Sequence, residues 1–525
     1  MRKTRRLASV LLALVMVFAL SSSAFAATGD YTITINNEED DYTYVAYQIF
    51  AGEVGSGPPL TLGSIVWGDG IDSTNTELQA ALTTAYGSYA AAEIAEQLIT
   101  QADAEAFARI VSDYLVADAG HTSSDAGSTY TISDVAAGYY LIDNTGVPSG
   151  SAYSSDIMIN VLENTSVNPK VDAPSSDKTV DDINDSENTA YTEGQTSADH
   201  DIGDQVPFTL TATLPDNYGA YETYKLIFHD VMDDGLTFNA DSVTVYVTTN
   251  GTTTTVASGY TVATSTKGTL LDSTCTFEVQ FTDTNALYAA DSTNPISVAA
   301  GSVITVKYTA ELNENAVIGE SGNVNTSYIE YSNNPNWDGN GEEPTGETPP
   351  ETVVVFTYKV TVNKVEEDEN GDEVPLEGAG FTLYKYDAEE GEYVAVSEEI
   401  TGGTSFTWKG LDDGDYMLVE TTTPNGYNTM KNLYFTVVAE HDEDGNITSL
   451  VIQDASGTPI STGLDATFST VADDGAISTN VVNEKGSNLP GTGGMGTTIF
   501  YIVGGLMVFG AAVLLITRRR MSKAE

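Results

Sequence analysis

The stretch Tyr416-Met417-Leu418-Val419-Glu420-Thr421-Thr422-Thr423-Pro424-Asn425-Gly426-Tyr427 reads as a strand that runs into a turn. Side chains along a strand alternate between two faces, so Leu418 and Glu420 point the same way. Asn425-Gly426 is a turn dipeptide that closes the run. If the Leu418 face is the core face, an acid stands where burial is costly unless the acid is paired or protonated. The plain alternative is an edge-strand Glu facing solvent.

Working outward, the same alternation recurs in Tyr31-Thr32-Ile33-Thr34-Ile35, in Ser242 to Val247 and in Val360-Thr361-Val362. Asn250-Gly251, Asn370-Gly371 and Asp444-Gly445 add further turns. Thr, Val and Tyr enrichment suits pleated surfaces, and short strands at this spacing predict stacked β-sandwiches. One segment departs: Thr76 to Leu115 is rich in Ala, Glu and Gln. Ile94, Leu98, Phe107, Ile110, Val111 and Leu115 lie near helical spacing, predicting one or two packed helices. The polar stretch Asp172 to Asp177 and the Pro, Gly and Glu-rich run Asn334 to Glu351 divide the chain. The expected fold is mainly β, with three tandem Ig-like sandwiches at 28–171 (with the helical insertion), 172–345 and 352–486, and a linker at 346–351.

The chain has 525 residues with 20 Lys+Arg against 76 Asp+Glu, a formal charge of −56. Such a balance argues against nucleic acid and anionic lipid as partners, since both need clustered bases. A single cysteine, Cys275, excludes internal disulfides and reads as a small buried apolar residue. His121, His200, His229 and His441 are scattered, so neither a zinc motif nor a nucleophile–base pair is legible. Asp368 to Asp372 and Asp442 to Asn446 faintly suggest calcium loops but lack the twelve-residue register and suit acidic hairpins. No cofactor and no metal are expected.

Both ends read as addresses. Residues 1–26 have the basic start, apolar centre and Ala24-Phe25-Ala26 site of a signal peptide. At the other end, an apolar segment at 499–517 precedes a basic tail at 518–525, the pattern of a membrane segment with a cytoplasmic tail. Removing eight basic residues and Glu525 with these ends leaves a mature chain of charge −63. Before the apolar segment stands Leu489-Pro490-Gly491-Thr492-Gly493, at 489–493, which resembles the LPxTG cell-wall sorting signal of Gram-positive bacteria. That resemblance implies cleavage by a sortase between Thr492 and Gly493, with Thr492 held as a thioester for an amine to attack.

The opening stretch itself resembles the E-box, YxLxETxxPxGY, of Gram-positive pilins and related Cna B-type domains, with every fixed position filled. The resemblance implies a spontaneous Lys–Asn isopeptide bond promoted by Glu420. Lys364 is then the amine and Asn483 the amide, with Asn480 as runner-up. Burial lowers a lysine pKa and raises a carboxyl pKa, which leaves a neutral nucleophile beside a proton donor. In the middle domain, Gly203 to Phe208, Phe228-His229-Asp230 and Tyr331-Ser332-Asn333-Asn334-Pro335 resemble the corresponding domain of backbone pilins. There the resemblance implies Lys178 as amine, Asp230 as acid and Asn333 as amide, with Asn334 as runner-up; Asn323 and Asn325 also lie near the final strand.

The first domain has no lysine between Lys3 and Lys170, so an internal Lys–Asn bond is excluded there; Asp143 stands where an E-box has Glu. Lys170, in Val167-Asn168-Pro169-Lys170, resembles the YPK pilin motif with Asn168 in place of Tyr. In the family that lysine resolves the sortase thioester and joins one subunit to the Thr of the next. The whole constellation resembles a backbone pilin of a sortase-assembled pilus: exported, wall-attached and not an enzyme. Its implied partners are a pilin-specific sortase, identical subunits, minor pilins, and peptidoglycan through a housekeeping sortase. The alternative is a wall-anchored adhesin or tip pilin that binds a host ligand.

Overall fold

A computed structural model describes residues 31–485 and the helix Thr497–Met521, apart from residues 38, 126–128, 149–150, 170, 188–191, 338–342, 443–444, 455–456, 459–461 and 464–465. The fold is mainly β, arranged as three sandwiches with helices in the first, as the alternation and the Ala-rich segment predict. The signal peptide, Lys170, and the sorting residues Leu489, Pro490, Thr492 and Gly493 lie outside the described residues.

In the first sandwich, Thr43–Val54 pairs with Gly138–Gly146 and is buried on both sides. Tyr44 and Ala46 face Ile33, Ile35, Tyr130 and Ile132 of the opposing sheet. Val45, Tyr47 and Ile49 face the helices Thr76–Tyr86, Ala91–Ala95 and Gln101–Val111, which bring Leu78, Leu82, Ile94, Phe107 and Val111. Asn75 caps the first helix and Gly87 ends it in the left-handed region at φ 72°. Thr100 and Asp103 form a capping box on the third.

The middle sandwich has a six-stranded sheet that includes Ser175–Asp182, Gln205–Thr213 and Val303–Leu312, and a seven-stranded sheet that includes Leu226–Met232, Phe277–Phe281 and Asn323–Ser332. The expected linker at 346–351 is not one. Thr345–Glu347 and Glu351–Phe356 both pair with Asn323–Ser332, and Val353 and Val355 enter the middle core. The prolines and glutamates of this run masked its period-two valines, so the third sandwich begins after Phe356 rather than at 352.

In the third sandwich the first and last strands, Tyr358–Glu367 and Ala476–Val482, run parallel side by side, with Lys364 opposite Val481. Gly414–Thr422 lies in the opposing sheet. An ionic cluster seals the middle and third sandwiches together. Lys385 Nζ lies 2.6 Å from Asp201, 3.1 Å from Asp412 and 3.5 Å from Asp185. Asp412 is fully buried. Among the residues described with side chains, no helix is long and apolar enough to cross a membrane. The helix Thr497–Met521 covers the apolar run, and the membrane reading rests on the uncharged sequence and the bases behind it.

Candidate functional site

Ser175–Asp182 alternates, and its inward positions are taken by Lys178 and Val180. An inward lysine must find partners, and Lys178 finds them across the sandwich. Its Nζ donates to Asp230 Oδ2 at 2.6 Å, to Asn325 Oδ1 at 2.7 Å and to the Tyr308 hydroxyl at 3.3 Å. Tyr308 in turn donates to Asp230 Oδ2 at 2.8 Å and accepts from Asn325 Nδ2 at 2.9 Å. The rings of Phe208 and Tyr308 wall the amine, each with its centroid 5.9 Å from Nζ. Burial pulls the Lys178 pKa down, only partly countered by Asp230, and the same burial pushes Asp230 up. Both shifts favour the neutral amine and the protonated acid. Asp230 Oδ1 is buried without a partner, where a carboxyl proton can sit.

Asn333, the amide expected from the resemblance, is elsewhere. Its Nδ2 donates to the Ser151 carbonyl at 3.4 Å, on the boundary with the first domain, and it follows the end of the strand Asn323–Ser332. Asn334 Oδ1 accepts from the Asn336 amide, and Asn323 is bonded to Val317 and Val355. The amide at Lys178 is therefore Asn325. Asn323, Asn325 and Asn333 share strand parity, so period two does not separate them. Cross-strand register does, since Asn325 lies opposite Met232 and Ser327 lies opposite Asp230.

The third domain assembles its expected set. Leu418 and Glu420 both point inward, and Lys364, Glu420 and Asn483 are all buried. Asn483 Nδ2 donates to Glu420 Oε1 at 2.7 Å, and the Met430 amide donates to Oε2 at 2.8 Å. Lys364 Nζ donates to the carbonyl of Val481 at 2.9 Å, two residues before Asn483. The Asn483 amide N–H reaches the Val365 carbonyl at 3.2 Å, so the two side chains leave neighbouring backbones. Burial depresses the Lys364 pKa to about 8 against the opposing pull of Glu420, and burial raises Glu420. Asn483 Oδ1 is buried without a partner. The runner-up Asn480 instead bonds Glu373 and Asn363 on the rim.

Chemically, both sets hold an amine, an acid and a carboxamide. Such a set can join Nζ to the Asn Cγ and break Cγ–Nδ2, the acid giving its proton to the departing nitrogen, which leaves as ammonia, and taking one back from the attacking amine. Lys385 is the contrast: burial lowers its pKa, but Asp412, Asp201 and Asp185 more than reverse that and hold it well above the ordinary range. It is an ion-pair lysine, not a nucleophile.

In the first domain, burial raises Asp143, and among the described residues no lysine is paired with it. Thr165–Val167 pairs in parallel with Tyr31–Asn36, and Asn36 Nδ2 donates to Asn168 Oδ1 at 2.7 Å. The Asp368 loop spends its carboxylate on the amides of Asn370 and Asp372, which closes a hairpin.

A family model described as a prealbumin-like fold domain, SpaA, matches residues 358–455, and one for the LPXTG cell wall anchor motif matches residues 481–523. The trypsin-resistant surface T6 protein of Streptococcus pyogenes serotype M6 is 25% identical over 370 residues, 61% of this chain and 65% of that one. The fimbrial subunit type 1 of Actinomyces viscosus is 25% identical over 240 residues, 38% of this chain and 40% of that one. The chain thus spans less than two thirds of either curated relative. The solved T6 backbone pilin of serotype M6 Streptococcus pyogenes, a modular three-domain structure, superposes with a TM-score of 0.50 at 18% identity, covering 87% of this chain and 99% of that one. The chain is similar to backbone pilins and carries a wall-anchor motif, which places it at the cell surface.

Proposed function

We propose that this wall-anchored, pilin-like chain is the shaft subunit of a covalent surface pilus. Sortase cleaves after Thr492, and the amine of Lys170 on the next subunit takes up the acyl group, so subunits join head to tail. Within each subunit, Lys178–Asn325 and Lys364–Asn483 isopeptide bonds lock the middle and third domains. The protein turns over no substrate; each internal bond forms once, with Asp230 or Glu420 as the proton donor.

The observation that carries this reading is that two of three domains each bury an amine, an acid and an amide in one core, touching through Lys178 in the middle domain and on neighbouring backbones in the third. Three such residues in a sandwich core are costly as separate polar groups. They become economical once amine and amide are one neutral bond.

The test for the shaft role is Lys170→Ala in cells that express the pilin sortase. The expected outcome is loss of the high-molecular-weight ladder on denaturing gels, with monomer retained on the wall through Thr492. An intact ladder would instead mark a monomeric adhesin or tip subunit.

A further inference from the structure

On the face of Leu226–Met232 opposite Asp230, strand pairing assembles a second polar cluster that the crosslinking chemistry does not use. His229 lies across the ladder from Glu278 on Phe277–Phe281 and from Tyr328 on Asn323–Ser332. The segment between Thr261–Thr264 and Phe277–Phe281 folds over this face and brings Cys275 onto it. All three donors are buried: His229 is 2% exposed, Cys275 6% and Glu278 0%.

We propose that His229 Nδ1, Cys275 Sγ and a Glu278 carboxylate oxygen form a site for one divalent cation of the zinc class. The three atoms lie within 4.8 Å of one another. The Nδ1–Oε1 separation is 3.2 Å and the Sγ–Nδ1 separation is 3.6 Å. Bond lengths of about 2.0–2.1 Å to nitrogen, 2.0–2.2 Å to oxygen and 2.3 Å to sulfur in a tetrahedral shell give edges of about 3.4 Å for N–O and about 3.6 Å for S–N. The two edges at Nδ1 already match such a shell, and Sγ and the carboxylate lie close enough to complete a third, with one corner left for water or an exogenous ligand.

The surroundings are those of a ligating histidine. Its other nitrogen, Nε2, is 3.4 Å from Glu330 Oε2, and Glu330 is itself paired with Lys225 at 2.7 Å. A carboxylate on the far nitrogen fixes the tautomer that leaves Nδ1 free to bind metal. Tyr328 stacks on the imidazole with centroids 4.5 Å apart and planes 7° apart, which locks the ring. Glu278 is oriented by the amides of Leu271 and Asp272 and by Gln280. With a dication bound, the thiol proton leaves as the metal–sulfur bond forms. The charges of the ion, the thiolate, Glu278, Glu330 and Lys225 then sum to zero. A nitrogen, a thiolate and one carboxylate favour zinc, cobalt or a similar ion over calcium or magnesium.

The test uses tag-free mature ectodomain, residues 27–492, reduced and stripped with chelator, then titrated with Co²⁺ alone. One equivalent should bind with a sulfur-to-cobalt charge-transfer band in the near ultraviolet and tetrahedral d–d bands in the visible. Zn²⁺ should displace it and, at a hundredfold excess over Kd, raise the middle-domain Tm by about 5–10 °C. Cys275→Ser and His229→Gln should each abolish the band, while Asp185→Asn, in the separate acidic cluster at the domain joint, leaves it unchanged. Absence of the band in the wild-type protein would overturn the proposal and assign Nδ1 a proton shared with Glu278. Stoichiometric binding that survives Cys275→Ser would overturn it equally, by placing the ion on the acidic residues.

Discussion

Replacing Asn325 by Ala removes the amide proposed to receive Lys178, and Asp230→Asn removes the acid while leaving amine and amide in place. Lys178 and Asn325 are 147 positions apart in sequence. A crosslink closing a loop of that length removes about 17 cal/mol/K of unfolded-chain entropy, or about 5 kcal/mol at 25 °C in the chain-entropy treatment. For a domain of 150–250 residues each kcal/mol moves Tm by about 2–4 °C, so either variant should lower the middle-domain transition by about 10–20 °C. Intact mass of the mature ectodomain reads the bond directly. Loss of two ammonia molecules places the wild-type protein about 34 Da below its sequence mass, and each variant should sit only about 17 Da below its own. Calorimetry should show the third-domain transition unmoved. An Asn325→Ala protein that kept both losses, or an Asn333→Ala protein that kept only one, would refute the assignment of Asn325.

Two further outcomes follow from the same geometry. In Asn483→Ala the Lys364 amine stays free, with its folded pKa at about 8 against the ordinary 10.5. Between those values the unfolded chain binds more protons, so stability should rise with pH from about 8 towards 10 and be lowest below 8. The wild-type protein, its amine consumed, should lack that slope in pH-dependent melting. Lys385→Met strips the buried Asp412 of its cation at the joint of the second and third domains. Breaking a buried pair from one side costs about 3–5 kcal/mol. Hydrogen exchange should accelerate in 199–204 and 408–415 ahead of either domain core, and an unchanged exchange pattern would mean the joint does not depend on that charge.

How much of this was legible from residues alone depends on distance along the chain. Glu420 was placed on the core face by its spacing from Leu418, a local fact, and the helices of the first domain announced themselves by the spacing of Ile94, Leu98, Phe107 and Val111. Lys364 and Asn483 were named through the resemblance, and parallel pairing of the first and last strands brings their backbones together. Asn325 stood only as an alternative to Asn333 because the two share parity, and only register against Leu226–Met232 tells them apart. Glu351–Phe356 was hidden by neighbouring prolines, although Val353 and Val355 alternate. His229, Cys275 and Glu278 meet through two strands and a covering loop, so their sequence spacing resembles no metal motif. Lys385 draws partners from two domains and has no local signature at all.

The lysine-free first domain has a mechanical consequence. If the neighbouring subunit is attached at Lys170, tension enters the chain at that residue and leaves at Thr492. Residues 27–169 then hang beside the line of force and are never stretched by it. The two domains that do lie on that line are the ones that bury an amine against an amide. With the proposed Lys364–Asn483 bond in place, the path through the third domain is short: it runs along Tyr358–Glu367 to Lys364, crosses to Asn483 and exits, bypassing everything between them. Extension under load is therefore confined to the few residues outside each crosslink, and a filament of such subunits should behave as a nearly inextensible cable with an unstressed sandwich at every joint.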